Sequence, residues 1–486
     1  MIGLKPVDGM LGAAAGEWKQ MTQLSERPTA IAGYDTSDVR FRVTDRVLLP
    51  SERYYDETFF EAEKEVWMHV WQFACHGTEI PNPGDFTEYR ILDQSVMLIR
   101  QEDGTVKGFY NACRHRGTAL ACGTGTFRAG QVVCPFHGWR WNLDGSNSYV
   151  YTKQGFRPDT VERAEVDLPE VAVGLKWGFV WVNFDPDAIP FEENWHGVEK
   201  ALDPHCFERM HVKWWHQIEF AANWKIAQEA FFEAYHVMQT HPELALFQRD
   251  DDYPPLGGYA SVPDQGHSWM AASMETVEEH EWTTTPTQVE EPDPEKEGPI
   301  GQSHPIGFVA TLKTMWQGSR SVTNARQTEI AEEVIDAVPH DQFFEEFLRR
   351  VYEDAAERNV VIPPPDPEMT GHWTAFPNCT GIVSLGCSMT YRSRPHPTDP
   401  NKCIFDFWAL EIPPEGTPVT RPQIAADDAP LWDDLWFLQQ DSSNIERMQT
   451  GIRTRGHKYQ RIAPDLEKMI VVWHQVLDQH LAKYAK

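Results

Sequence analysis

Four residues in two short segments have the types and the spacing of metal ligands. The segment NACRHRG contains Cys113 and His115, and the segment CPFHGW contains Cys134 and His137. Two cysteines and two histidines could bind zinc, but zinc fingers usually pair cysteine with cysteine and histidine with histidine. Here each segment offers one thiolate and one imidazole, which suits a two-iron cluster with both cysteines on one iron and both histidines on the other. We therefore predict a [2Fe–2S] cluster at these residues, with a zinc knuckle as the alternative.

A second candidate metal site begins with two histidines in the segment NWKIAQEAFFEAYHVMQTHPELALF. Its pattern predicts a helix over 223–241 that carries His236 and His241. On a straight helix these two side chains would point about 140° apart, too wide for one ion. Pro242 disfavours helical backbone at His241, so the helix can end or bend there and bring the imidazoles together. Two histidines and one carboxylate form the ligand set of non-haem Fe(II) sites and leave positions open on the metal.

The carboxylate of this second site is predicted from a distant helix, WFLQQDSSNIERMQTGI. Asp441 falls on its apolar stripe, which is formed by Leu438, Ile445, Met448 and Ile452. A carboxylate on a buried stripe is costly unless it is paired or bound to a metal. We therefore expect Asp441 to be the third iron ligand. A helix cap or a salt bridge is the alternative role for this residue.

Glu233 precedes His236 by three residues and would share a helix face with it. A metal-bound histidine commonly donates its other ring N–H to a carboxylate, and Glu233 could accept that hydrogen bond. The surrounding segment is apolar on most sides and is expected to be buried. Glu229 extends the same stripe, and we expect its role to be structural.

The elements that position these residues indicate an α+β protein, since strands and helices are segregated along the chain. Short β-rich runs broken by glycine, aspartate and asparagine predict a small antiparallel domain around both Cys/His pairs. Helical segments and two further strands follow. We predict an N-terminal arm over 1–55, an all-β cluster domain over 56–168 and a catalytic domain over 169–486. The Pro-, Glu- and Gly-rich stretch near 262–305 is the candidate for an acidic surface insertion.

Charge and hydropathy exclude two classes of partner. The 486 residues carry a formal net charge of −30, which opposes binding to nucleic acid. No run approaches the roughly 20 apolar residues of a membrane span, and no secretory signal is recognisable, so we expect a cytoplasmic protein. Against this acidic background, four arginines surround the cluster ligands, and they would either dock an acidic electron donor or form salt bridges within the domain or to a neighbouring subunit: Arg114, Arg116, Arg128 and Arg140.

Together the two sites resemble the Rieske non-haem iron oxygenases, specifically the large catalytic (alpha) subunits of the aromatic ring-hydroxylating dioxygenase family. The resemblance covers roughly residues 57–451. It rests on IPNPGDF and NACRHRG, on CPFHGWRWNLDG, on GFVWVNFDP, on NWK…EAFFEAYHVMQTH, and on DSSNIERMQTG.

The resemblance implies a Rieske [2Fe–2S] domain followed by a helix-grip catalytic domain with mononuclear Fe(II), and O2 as co-substrate. It also implies a homotrimer, in some members with a small beta subunit, that receives electrons from a ferredoxin or flavin reductase oxidising NAD(P)H. Electrons would pass from His137 of one subunit to Glu233 of the next and on to His236. Asn223 matches a family position close to the iron. The family most often has aspartate where this chain has Glu233.

We therefore expect a terminal oxygenase component that hydroxylates a small organic substrate, which we take to be aromatic. One alternative is a Rieske monooxygenase acting as an N- or O-demethylase, because a glutamate at the bridging position also occurs in members that oxidise N-methyl or quaternary-ammonium compounds. A rival of another class is a Rieske electron-transfer protein without catalytic iron, and a further rival is a zinc-stabilised structural protein.

Overall fold

The computed structural model describes residues 34–245, 259–262, 264–271, 304–365, 369–425, 430–463 and 466–485. Two large antiparallel sheets organise these residues, one in each half of the chain, and helices cover the second sheet. This is the predicted α+β architecture. No helix within the described residues is both long enough and apolar enough to cross a membrane.

The N-terminal domain is built on a seven-stranded sheet with the order β2-β11-β10-β5-β4-β3-β6. A three-stranded sheet, β7-β8-β9, lies in the same region, and a short strand, β1, pairs with residues Tyr459–Arg461 near the other end of the chain. The strands are β1 Leu48–Pro50, β2 Gln72–His76, β3 Asp85–Ile91, β4 Gln94–Arg100, β5 Val106–Tyr110, β6 Thr124–Thr126, β7 Gln131–Val133, β8 Arg140–Asn142, β9 Asn147–Tyr149, β10 Glu170–Lys176 and β11 Phe179–Asn183.

This sheet corrects one predicted boundary. Strands β10 and β11 pair with β5 and β2, so the predicted division between 168 and 169 cuts through the sheet rather than following it. The predicted arm over 1–55 is described from residue 34 onward. Its last part is docked rather than free, because Leu49, Arg53 and Tyr54 are buried.

The C-terminal domain is built on a second seven-stranded sheet with the order β12-β18-β17-β16-β15-β14-β13. Part of the predicted surface insertion belongs to it, because β14 pairs with β15 in the sheet, whereas residues 272–303 lie outside the described residues. The strands are β12 His211–Phe220, β13 Tyr259–Val262, β14 His267–Ala271, β15 Met369–Ala375, β16 Cys379–Ser384, β17 Cys387–Pro395, β18 Cys403–Glu411 and β19 Tyr459–Arg461.

The longest helices lie in the C-terminal domain. The final helix packs across the sheet in the helix-grip manner, since Trp473, Val476 and Leu477 share one apolar core with Phe405 and Phe407 of β18. The helices are α1 Glu57–Trp67, α2 Arg163–Val166, α3 Glu199–Leu202, α4 Trp224–Glu229, α5 Val237–Thr240, α6 Pro242–Ala245, α7 Pro305–Ser319, α8 Ala325–Ile335, α9 Phe343–Glu357, α10 Pro430–Asp434, α11 Trp436–Ile452 and α12 Lys468–Tyr484.

Buried polar contacts join the two domains. The Phe73 backbone N–H donates to Asn378 Oδ1 over 2.8 Å, and Asn378 Nδ2 donates to the Phe73 carbonyl over 3.2 Å. Arg392, which is paired with Asp406 at 2.7 Å, also donates to the carbonyl of Ala74. Because buried polar groups are costly to leave unpaired, these bonds fix how the N-terminal sheet sits on the catalytic sheet.

Candidate metal centres

His236, His241 and Asp441 converge on one point, although Asp441 is 200 residues away in the sequence from His241. Asp441 Oδ1 lies 3.4 Å from His236 Nε2 and 3.0 Å from His241 Nε2. These three ligand atoms all lie within 4.8 Å of one another. The side chains of His241 and Asp441 are almost fully buried, and that of His236 is 25% exposed. The geometry is that of a shielded three-ligand site with one open side.

The backbone brings the two histidines together by interrupting the predicted helix. Helix α4 ends at Glu229, residues 230–236 form turns, and only 237–240 are helical again. The prediction of one helix over 223–241 is therefore wrong. His241 ends α5 with φ −119° and ψ 74°, outside the helical region, as expected for a residue before Pro242. The two imidazole centroids are consequently only 5.5 Å apart.

Glu233 contacts His236 as predicted, although for a different reason. It lies in the turn segment and not on a shared helix face. His236 Nδ1 lies 2.7 Å from Glu233 Oε1, and the His236 backbone N–H donates to Oε2 over 3.0 Å. The carboxylate thus holds both the ring and the backbone of one predicted ligand.

Gln440 holds the other imidazole, and sequence reasoning missed it. His241 Nδ1 lies 2.7 Å from Gln440 Oε1, and Gln440 Nε2 donates to Glu243 over 3.2 Å. The ring of Phe437 stacks on His241 at 3.6 Å between centroids. Helix α11 therefore supplies one ligand and the support for another. The sequence offers no local signal for this, because Gln440 meets His241 only through the tertiary fold.

These contacts fit a divalent metal ion. Each Nδ1 faces an acceptor oxygen, so each Nε2 is left with its lone pair directed at Asp441, as in metal-bound histidines with supporting acceptors. His241 Nε2 is buried and makes no hydrogen bond among the described residues. Burial opposes a charge on His236, but Glu233 and Asp441 outweigh it and raise the pKa of His236 to about 10. A site that attracts a proton this strongly suits a cation, and its two nitrogens and one oxygen suit non-haem Fe(II).

The apolar stripe that predicted Asp441 is shifted in the structure. Leu438, Asp441, Ile445 and Ile452 are buried on α11 as expected. Met448, however, is 41% exposed, and Gln449 is buried in its place. The reason is that neighbours on one helix face are spaced by three or four residues, and the buried face here continues from Ile445 to Gln449, a step of four, instead of to Met448.

Asn223 performs a structural task in the described fold. Its Oδ1 accepts from the backbone N–H of Lys225 and caps α4, and its Nδ2 donates to the carbonyl of Pro400 over 2.7 Å. Both ends of the amide are therefore engaged. Its predicted place beside the iron stays a prediction.

The four Cys/His residues meet at the ends of two loops of the N-terminal domain. One loop follows β5 and the other joins β7 to β8. Cys113 and Cys134 are buried, and the rings of His115 and His137 lie 4.6 Å apart. Burial, together with the adjacent Cys134 thiol, raises the pKa of Cys113.

The loop backbones and an unpaired nitrogen fit the predicted cluster. Gly117 and Gly138 have φ of 76° and 69°, a region that favours glycine, and their N–H groups donate back to the carbonyls of Cys113 and Cys134. His115 Nδ1 is buried without a hydrogen bond among the described residues. Two adjacent buried thiols and two adjacent imidazoles are the donors that a [2Fe–2S] cluster of mixed ligation requires.

The four arginines near these loops are all exposed and form no ion pair with any carboxylate of the described residues. Arg114 donates to the carbonyl of Glu165, and Arg116 lies over the ring of Phe136, which is 59% exposed. Salt bridges within the domain are therefore absent from the described part of the chain, whereas salt bridges to a neighbouring subunit stay a prediction. The surface around the cluster is basic and partly aromatic.

Comparison with known proteins places both sites in one family. The Rieske [2Fe-2S] domain family matches residues 70–155, and the ring hydroxylating alpha subunit (catalytic domain) family matches residues 207–483.

Among curated relatives, the carnitine monooxygenase oxygenase subunit of Escherichia coli is 32% identical over 42% of this chain and 55% of its own length. The glycine betaine monooxygenase oxygenase subunit of Pseudomonas aeruginosa is 31% identical over 44% of this chain and 49% of its own. The chain thus spans about half the length of the curated relatives that it matches.

The fold is shared with solved structures of lower identity. A quaternary ammonium Rieske monooxygenase in complex with L-carnitine has a TM-score of 0.58 at 18% identity, over 89% of this chain and 95% of that chain. A naphthalene 1,2-dioxygenase from Rhodococcus sp. has the same TM-score and identity, over 90% and 95%. With both sets of candidate ligands brought together and a family match across more than half of its length, the chain belongs to the ring-hydroxylating alpha subunits, with a Rieske [2Fe–2S] domain ahead of the catalytic domain.

Proposed function

We propose that this protein is the terminal oxygenase component of a system that uses O2 and externally supplied electrons to hydroxylate a small organic substrate. The main support for this proposal is the convergence of His236 Nε2, His241 Nε2 and Asp441 Oδ1, in a chain that also holds a Rieske domain. A pure electron carrier would need only the four cluster ligands. The second ligand set, with its own supporting hydrogen bonds, distinguishes an oxygenase from such a carrier.

The chain's residues divide the work between two groups. Cys113, His115, Cys134 and His137 would hold the [2Fe–2S] cluster, and His236, His241 and Asp441 would hold Fe(II). When bound, these groups supply one-electron transfer and O2 activation. Glu233 and Gln440 would hold each imidazole in the tautomer that presents Nε2, which keeps the three ligand atoms on one side of the site.

We propose that electrons pass between neighbouring subunits of a homotrimer. His137 is half-buried in the loop between β7 and β8, beside the exposed ring of Phe136, so it is available to a neighbouring molecule. Glu233 of that neighbour would receive the electron and pass it to His236. The exposed arginines around the cluster support docking of an acidic donor, a ferredoxin or a flavin reductase linked to NAD(P)H. A cytoplasmic location, where that nucleotide is available, completes the scheme.

For the substrate we favour an N-methylated cation, which the enzyme would monooxygenate and demethylate. Carboxylates lie close to the predicted iron ligands: Glu233 contacts His236, and Glu243 contacts the amide of Gln440, which holds His241. A further carboxylate, Glu467, has its pKa raised to about 7 by burial and, in part, by the charge of Glu233. Acidic surroundings raise the local concentration of a cation. The relatives that act on carnitine and glycine betaine support the same class.

An aromatic substrate is the second candidate. The large oxygenase component of a 2,4-dinitrotoluene dioxygenase system from Burkholderia sp. is 29% identical over 45% of this chain and 50% of its own length. Aromatic rings also lie in the core behind the iron ligands, where Phe231 stacks on Tyr391 at 4.2 Å. Such rings pack well against an aromatic substrate, although they would also attract a cation through their faces.

Product mass after turnover decides between these candidates. The purified enzyme would be combined with an NADH-linked reductase and ferredoxin and offered glycine betaine, L-carnitine, γ-butyrobetaine, naphthalene and 2,4-dinitrotoluene. Gain of one oxygen followed by loss of a methyl group supports the first candidate. Gain of two oxygens on a ring supports the second. An absence of any oxygenated product under conditions in which the cluster is reduced would contradict both.

Metal content tests the assignment independently of any substrate. We expect brown protein with acid-labile sulfide and about three irons per chain, two in the cluster and one mononuclear. Asp441→Ala should retain about two irons and the visible spectrum of the cluster. A colourless protein loaded with zinc, or a wild-type chain that never takes up a third iron, would refute the oxygenase assignment.

A further inference from the structure

An unused histidine, His372, lies on strand β15 facing the iron-bearing helices. Within this strand Trp373 joins the apolar core that contains Phe179 and Trp181, on the side of the N-terminal sheet. Side chains alternate between the two faces of a strand, so His372 points to the opposite face. Its cross-strand partner is Ile382, which packs against the core that also contains Leu438 and Ile445 of the Asp441 helix.

The charges of two residues of the iron site act on His372. Burial is the main cause that lowers the pKa of His372, to about 4, and the charges of His236 and Glu233 also act on it. Its imidazole is nevertheless not a fourth ligand, since the clustered ligand atoms are those of His236, His241 and Asp441 alone among the described residues. His372 is therefore an imidazole on the sheet face toward the iron-bearing segments and outside the ligand set.

One ring nitrogen of His372 lacks a hydrogen-bond partner. Its Nδ1 is buried and has no hydrogen-bond partner within the part of the chain that the structure describes. An unpaired buried polar nitrogen costs free energy, and a binding partner that is absent from the protein itself is one explanation for it. The other orphaned imidazole nitrogen at this site, His241 Nε2, is explained in that way, by the metal.

We propose that His372 is a substrate-positioning residue that hydrogen-bonds an oxygen function of the substrate, a carboxylate, carbonyl or hydroxyl group. This rests on the proposed oxygenase function and narrows its substrate class. The bond anchors one end of the substrate on the sheet while another carbon is presented to the open side of the iron site. A substrate without an oxygen function leaves Nδ1 unpaired, so it binds more weakly and in less defined orientations.

Pairs of probes that differ only in an oxygen function separate the contribution of this hydrogen bond from that of the probe's overall shape and size. Butyltrimethylammonium lacks the carboxylate of γ-butyrobetaine, and toluene lacks that of benzoate. Dissociation constants would be measured by calorimetry on the iron-loaded, oxidised wild-type enzyme and on His372→Phe and His372→Asn. Phenylalanine keeps a planar ring of similar size without the hydrogen bond, and asparagine retains a donor and an acceptor near the position of Nδ1.

We expect wild-type enzyme to bind at least one oxygen-bearing probe in preference to its plain partner. His372→Phe should weaken that probe by roughly ten- to a hundredfold and leave the plain partner within about threefold, and His372→Asn should restore part of the loss. In turnover, the phenylalanine variant should raise KM and release more unproductive peroxide per product formed. Iron content and the electron paramagnetic resonance signal of the reduced cluster should not change.

Three results would overturn the proposal: equal binding of both members of every pair by the wild type, binding of neither member of any pair, or equal weakening of both members by His372→Phe. These results concern binding to the oxidised enzyme. Failure of the oxygenase assignment would be seen elsewhere, as a missing third iron or as no oxygenated product from wild-type enzyme.

Discussion

Glu233→Gln is the most informative single substitution in this chain. The Glu233 side chain is 8% exposed and accepts two hydrogen bonds, from His236 Nδ1 at 2.7 Å and from the His236 backbone at 3.0 Å. Glutamine has nearly the same shape but only one acceptor oxygen. One of the two His236 donors would then face an amide N–H instead of an oxygen, and the negative charge beside the ring would be lost.

The expected loss follows from the role of that contact. Removing the group that holds a metal-bound histidine typically costs 10- to 100-fold in metal affinity, which is about 1.4 to 2.8 kcal/mol. Fe(II) affinity of Glu233→Gln should therefore fall by about that factor. Glu233→Asp keeps the charge, but its side chain is one methylene shorter and cannot reach both donors in the same backbone conformation. It should lie between the wild type and the glutamine variant.

Two measurements check these expectations. Iron affinity is obtained anaerobically by competition with a ferrous chelator, with the visible spectrum of the cluster as the internal reference. Enzyme saturated with iron and carrying a reduced cluster is then mixed with O2 and substrate, and cluster reoxidation is followed by stopped flow. Slower reoxidation of Glu233→Gln at full iron occupancy would place the carboxylate on the electron route.

Glu243→Gln is the matched control. Glu243 contacts the amide of Gln440 and does not touch His236 in the described structure, so this variant removes one charge from the same region without releasing His236. Wild-type iron affinity and wild-type reoxidation in Glu233→Gln would refute the role assigned to the contact. Equal effects of the two substitutions would reduce that role to a general effect of charge.

Three further predictions concern groups around the iron site. Gln440→Leu removes the acceptor for His241 Nδ1, so chelator competition should find Fe(II) bound about tenfold more weakly or worse, with the cluster spectrum unchanged. Lys225→Met leaves the buried Glu63 carboxylate, now 2.7 Å from Lys225 Nζ, without a partner and should cost about 3 to 5 kcal/mol in urea unfolding. Burial already raises the pKa of Glu63, and the loss of Lys225 raises that pKa further. The variant should therefore be least destabilised below the unfolded-state pKa of about 4.3 and should lose stability as the pH rises through the folded-state pKa. Adding Glu63→Leu to the variant should recover much of the lost stability. Asn223→Ala removes the cap of α4 and should cost about 1 kcal/mol in the same assay, whereas loss of iron at unchanged stability would support the family's placement of this residue beside the metal.

Much of the chemistry could be predicted from local sequence. Cys113, His115, Cys134 and His137 are recognisable because each pair lies within one loop, and the donor types and spacing themselves exclude most other metals. Asp441 was found because a carboxylate on an otherwise apolar helical stripe must have a partner. The effect of Pro242 on His241 is also local, since it acts on the backbone of the preceding residue.

Predictions that depended on the extent of an element were less accurate. Residues 223–241 have the composition of one helix, but the structure breaks it after Glu229, and the turn that follows lets Glu233 bond both the ring and the backbone of His236. Helix propensity is a weak preference, and tertiary contacts override it. The domain boundary near 168 was misplaced for a similar reason, because β10 and β11 join their sheet by pairing with strands that are distant in the sequence.

The sequence by itself determined which atoms are available to bind metal and predicted two centres with different ligand sets. Only the tertiary structure decided what surrounds them. Gln440 reaches His241 across 199 residues, and His372 comes to the site through the pairing of β15 with β16. Side chains of this kind carry no sequence signature, because a hydrogen bond between distant segments depends on how helices and sheet pack and not on the residues beside each partner. The predicted metal ligands are thus recognisable from local sequence patterns, and their support and the substrate side of the site are properties of the fold.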